Sequence, residues 1–179
     1  TLEDYIIRTL SLPSEFGLIS KSHILKDSFN GDGDSNLLSL YILSKDSQGK
    51  LSTADLALKN NLKTYLSEYN SETDAINIKD AFIINIGVNF DITLRPNYNN
   101  RLVINNCLLA LQNHFNIDKW VVNQPIIIPE LYTLLDKVDG VQTVKKVEII
   151  NKSGEESGYS KYSYDINSAT INGVIYPSL

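Results

Sequence analysis

The chain has 179 residues, 42% of them hydrophobic and 21% charged, with a net charge of −5. That length holds one domain or two small ones, with enough apolar surface to build a core without a staple. The acidic balance, with Lys145-Lys146 as the only basic pair, argues against a nucleic-acid surface, and no apolar stretch approaches the ~20 residues of a membrane span. The single cysteine, Cys107, rules out an internal disulfide and sits among Asn105, Asn106, Leu108 and Leu109, which reads as a small buried side chain rather than a nucleophile. The chain starts at Thr1 and contains no Met, and it reads as a piece of something longer.

In chain order, residues 1–11 are expected to form a helix capped by Thr1, with Asp4 giving an imperfect capping box and Pro13 ending it. Its stripe is Leu2, Tyr5, Ile6 and Leu10. A strand is expected over 17–25, a polar Gly-rich loop over 26–36, and a well-buried strand from Leu37 to Leu43. Ser52 or Thr53 should cap a second helix over 54–69, with Leu56, Leu62, Tyr65, Leu66 and Tyr69 on one face. Strand-like runs follow from Ala75 to Asp80 and Ala81 to Leu94. Val88, Phe90, Ile92 and Leu94 alternate there with Asn89, Asp91 and Thr93, the pattern of a half-exposed strand. A third helix over 100–115 should bury Val103, Ile104, Cys107, Leu108, Leu111 and Phe115. Trp120 to Ile128 reads as a strand that Pro125 confines to an edge or a bulge. Pro129 suits the first position of a fourth helix, which Asp139-Gly140 ends. Val141 to Ile150 and Tyr159 to Ile166 read as a hairpin, and Thr170 to Tyr176 as a last strand.

This order predicts an α+β protein of two small ferredoxin-like two-layer units with mostly antiparallel sheets. The first spans 1–80, and the second spans 81–179 and ends in a C-terminal β-hairpin.

No residue pattern supports catalysis. Asn30-Gly31-Asp32-Gly33-Asp34-Ser35 resembles the start of a calcium loop, but Ser35 and Tyr41 stand where an EF-hand needs Gly and Glu. His23 and His114 have no partner at metal-ligand spacing, and His114 suits the end of a helix. There is no nucleophile elbow, Walker loop or dinucleotide fingerprint, and Glu155-Glu156 lies in a Gly/Ser loop. No catalytic residue, metal or cofactor is therefore assigned. Tyr159, Tyr162 and Tyr164 form the one grouping suited to a protein interface. On a strand, Tyr162 and Tyr164 would share a face, although β-propensity alone would also place Tyr there.

Two stretches carry a resemblance. One runs from Asp74-Ala75-Ile76-Asn77 through Asn85-Ile86-Gly87-Val88-Asn89-Phe90-Asp91 to Arg95-Pro96-Asn97-Tyr98-Asn99. The other runs from Trp120-Val121-Val122-Asn123-Gln124-Pro125-Ile126 through Asp139-Gly140-Val141-Gln142-Thr143-Val144. Both resemble the C-terminal region of the baseplate wedge proteins of T-even-type contractile-tailed phages, the wedge subunit six family. Tyr164-Asp165-Ile166-Asn167 and Asn172-Gly173-Val174-Ile175-Tyr176-Pro177 are similar to the same family. Leu2-Glu3-Asp4-Tyr5 with Pro13-Ser14-Glu15-Phe16-Gly17 resembles the broader baseplate J-like family. The resemblance covers nearly the whole chain, but family members are several times longer and carry an N-terminal arm. It implies a non-enzymatic component of the virion tail baseplate, assembled in the host cytoplasm. Its partners would be other copies of itself and other wedge proteins, in a ring around the tail hub that rearranges on sheath contraction. It implies no cofactor, nucleic acid, membrane or small-molecule substrate. The other readings are the baseplate of a contractile injection system, and a ferredoxin-like enzyme or ligand-binding domain, which a deep apolar pocket would favour.

Overall fold

The computed structural model describes residues 1–26, 37–69 and 75–177. The acidic loop from Asn30 to Ser35 lies outside them. The chain forms two compact units, Thr1–Ile83 and Ile84–Leu179, so the boundary falls three residues beyond the expected 80/81. The protein is α+β, with helices beside mostly antiparallel sheets. The pairings found are compatible with ferredoxin-like units without completing that strand order.

The first unit opens with α1 (Leu2–Leu10). Its capping box is complete: Thr1 Oγ1 accepts from Asp4 N, and the Asp4 carboxylate accepts from the Thr1 backbone N. β1 (Lys21–Lys26), β2 (Leu37–Lys45), β3 (Leu51–Ser52), α2 (Leu56–Ser67) and β4 (Ala75–Asp80) follow. β2 is central, with β1 antiparallel to it and β4 parallel. A parallel neighbour needs a crossover, and α2 is that crossover. β2 is apolar enough to bury Leu38, Leu40 and Ile42 against the helices and Ser39 and Leu43 on its other face. Asp80, the last residue of β4, ties that strand to the start of α2, accepting from Lys59 Nζ at 2.6 Å and from Ala54 N at 3.2 Å.

Two expected helix faces need correction here. In α2 the buried row is Leu58, Leu62 and Leu66, spaced by four, while Leu56 is exposed. The cap is Asp55, whose carboxylate accepts from Leu58 N at 2.7 Å, and not Ser52 or Thr53. Tyr69 lies beyond the helix and takes the Arg8 guanidinium over its ring at 3.9 Å. In α1 the buried residues are Tyr5 and Thr9, with Leu2 and Leu10 exposed. Thr9 is tolerated inside because its hydroxyl donates to Tyr5 O at 2.7 Å.

The second unit contains β5 (Asn85–Leu94), α3 (Asn100–His114), β6 (Ile126–Ile127), α4 (Ile128–Asp136), β7 (Val141–Lys152), α5 (Ile166–Ala169), β8 (Thr170–Ile171) and β9 (Val174–Ile175). Its core joins Val103, Cys107 and Leu111 of α3 to Leu131 and Leu135 of α4 and to Val141, Val147 and Ile149 of β7. The alternation predicted for 88–94 is present, but Ala81 to Ile84 stays outside the strand. Trp120 to Pro125 is irregular, with one turn at Val122-Asn123, leaving only Ile126–Ile127 as strand. Pro129 stands in the first turn of α4, one place after its start.

The main correction concerns the expected hairpin between 141–150 and 159–166. β7 pairs with β5 instead, from Asn85↔Lys152 to Leu94↔Val141. Residues 158–165 form no strand: Gly158 N and Tyr159 N close a turn on Glu155 O and Gly154 O, and alternate donors beyond them go to side chains. Ser160 N bonds Asn85 Oδ1 at 2.7 Å, Tyr162 N bonds Ser160 Oγ at 3.2 Å, and Tyr164 N bonds Asn151 Oδ1 at 2.9 Å. The C-terminal hairpin is the short β8–β9 pair. Its turn, Asn172-Gly173, has φ of 51° and 77°, as a tight two-residue hairpin requires.

Candidate functional site

The three tyrosines of the expected interface lie outside any strand. Tyr164 is half-buried on the core of the second unit, and its hydroxyl donates to Tyr176 O. Tyr162 is half-buried with the Lys161 ammonium 5.3 Å from its ring, and Tyr159 is exposed with the Lys152 ammonium at 5.6 Å. With no strand beneath them, Tyr162 and Tyr164 have no common strand face to offer. Asn151 is what holds this segment, since Nδ2 also donates to Asn85 O at 3.0 Å. Asn151→Ala would orphan two part-buried backbone groups and should cost about 1–3 kcal/mol. Urea unfolding measures the loss, and faster hydrogen exchange at Tyr164 should accompany it. An unchanged midpoint with normal protection would refute this role.

A different apolar surface lies on α3, and periodicity misassigned part of it. Leu108 and Ile104 were expected inside, yet Leu108 is 45% exposed and Ile104 is also exposed. Val103, Cys107 and Leu111 recur every four residues and give a narrow contact row. Leu108 stands one residue, about 100°, around the helix from Cys107. Leu102 and Leu109, at 59% and 56%, lie on the side away from that row, together with Arg101, Asn105 and Gln112. The signal was in the sequence as an excess: α3 carries more large aliphatics than one buried stripe can use.

The remaining candidates have structural roles. Cys107 is fully buried and its thiol pKa is raised by that burial, which keeps it from being a nucleophile. His114 ends α3 and meets the rings of Phe115 and Trp120 edge-on at 4.9 and 5.8 Å. Asp165 caps α5, and the hydrogen bonds from Ser168 lower its pKa. Tyr98 Oη donates to Asp139 Oδ1 at 3.0 Å, and that carboxylate raises the phenol pKa. Glu155 and Glu156 lie exposed in a short 3₁₀ turn. Among the described residues no three His, Cys, Asp or Glu side chains gather as metal ligands, and no helix is long and apolar enough to cross a membrane. No protein-family model matches the chain, and no curated protein matches its sequence.

Proposed function

We propose that the chain is a structural, non-enzymatic component of a contractile-tail baseplate wedge, held to neighbouring wedge proteins and to copies of itself. The sequence resemblance along 74–99 and 120–144 motivates the reading. The observation that carries it is the exposure of four large aliphatics on α3, the pair Ile104 and Leu108 beside the buried row and the pair Leu102 and Leu109 on the far side. Large aliphatics left in water on one helix suit burial against another protein.

The test is immunogold labelling of particles from the source of the chain. Label should fall at the baseplate end of contractile tails. Label on headless contractile particles would favour the injection-system reading, and absence from any particle would overturn both. Within labelled particles, Leu102→Ser with Leu109→Ser should keep the fold and reduce incorporation about tenfold or more, since a well-packed interface side chain can each contribute over about 1 kcal/mol. Normal incorporation of that variant would remove α3 from the interface.

A further inference from the structure

The two strands of the β5–β7 ribbon have differently treated outer edges. Along β7, Val147 N donates outward to the Tyr132 hydroxyl at 3.0 Å, Asn151 holds the 160–164 segment, and α5 lies alongside. Because Val147 N points away from β5, the pair Val147↔Phe90 is a non-hydrogen-bonded one. Register is regular from Asn85 to Asp91, so Ile86 and Val88 are in the same class. The N–H and C=O groups of Ile86, Val88 and Phe90 therefore point outward from β5. No other strand among the described residues pairs with β5, and none of the hydrogen bonds found there occupies these groups.

The side chains repeat this asymmetry. Val147 and Ile149 of β7 are buried, whereas their partners Phe90 and Val88 of β5, and Ile86, Ile92 and Leu94 beside them, pack on the same core but stay half-exposed. The apolar layer thus stops at β5. Both register shifts leave their extra residues on β7, Lys145 and Gln142, so the free strand is the regular one. β5 is ten residues long, contains no Pro or Lys, and carries a single charge, Asp91 on its outer face. Natural edges of that length are usually blunted by Lys, Pro or a bulge.

We propose that the outer edge of β5 is a strand-addition site for an extended segment of another protein, one with apolar residues at alternate positions and a Lys or Arg opposite Asp91. The unpaired donors and acceptors recur at every second residue, and an extended backbone is the ligand that matches that repeat. Its alternate side chains would cover Ile86, Val88 and Phe90 and complete the apolar layer. The carboxylate selects a cation across the new strand pair. This edge goes beyond the α3 surface and is argued from the second unit alone, so peptide titration and particle labelling fail separately.

The probe is a synthetic peptide of about ten residues alternating Val and Thr, with one central Lys, titrated into the whole chain. Binding should protect the amides of Ile86, Val88 and Phe90 from hydrogen exchange and leave β7 unchanged. Val88→Pro should keep the β5–β7 ladder, because the lost N–H points outward and Gly87 before it accommodates the ring, and should weaken binding about tenfold or more. Should that variant not fold, Asp91→Lys decides: the Lys peptide should weaken and its Glu counterpart should strengthen. Absence of binding, protection elsewhere, or unchanged affinity in the folded variants would overturn the proposal. So would light scattering showing a dimer that Val88→Pro or Asp91→Lys dissociates, because the occupant would then be a second copy.

Discussion

Leu131→Ala should destabilise the second unit by about 2–5 kcal/mol, the cost of deleting a fully buried leucine and leaving a cavity. Leu131 is wholly inside, on the face of α4 that packs against β7, one turn before the equally buried Leu135. Its surroundings, Val103 and Cys107 of α3 and Val147 and Ile149 of β7, belong to two different elements and cannot all close on the void. Leu108→Ala, by contrast, should stay within about 0.5 kcal/mol, the range of surface changes. The same chemical deletion thus gives opposite results on two helices with similar apolar content. Urea unfolding followed by Trp120 fluorescence reads this unit alone, since Trp120 is the only tryptophan in the chain. Equal losses in the two variants would mean that the contact row of α3 has been placed on the wrong side.

Gly140→Ala should cost about 2–5 kcal/mol, from two separable causes: a left-handed backbone that disfavours any Cβ by about 1–2 kcal/mol and overpacking by about 1–3 kcal/mol. Gly140 has φ +91°, and an added Cβ would stand 2.6 Å from both Tyr98 Cδ1 and Val103 Cγ2. Val103 is buried and cannot retreat, and the Tyr98 ring is tethered by its hydroxyl to Asp139. The backbone has no freedom either, because Gly140 O accepts from Arg95 N at 2.9 Å where β7 begins beside the end of β5. Adding Tyr98→Ala to the Gly140→Ala chain should recover part of the steric share and none of the backbone share. Full recovery of the melting temperature would show that backbone strain contributes nothing.

The sequence by itself determined the elements whose signals are local. Thr1 with Asp4 and Asn99 with its bond to Leu102 N set two helix starts, Pro129 marked a third, and the alternation of 88–94 announced β5. Each of these depends on groups a few residues apart, so the chain carries them wherever it goes. The α+β class followed from the order of such elements. What tertiary structure decided was which face is inside and which strand pairs with which. Periodicity allowed Leu108 in the third-helix stripe and Leu56 in the second, and only the narrow contact of each helix with its neighbours left them in water. The segment from Tyr159 to Ile166 has strand composition, but the amides of Ser160, Tyr162 and Tyr164 are taken by Asn85, Ser160 and Asn151, and β7 is left to β5 across the connection from Arg95 to Gly140. The acceptors on Asn85 and Asn151 become available only once β5 and β7 have paired. A donor's choice of partner there is a competition between distant groups, and no local pattern in the chain records its outcome.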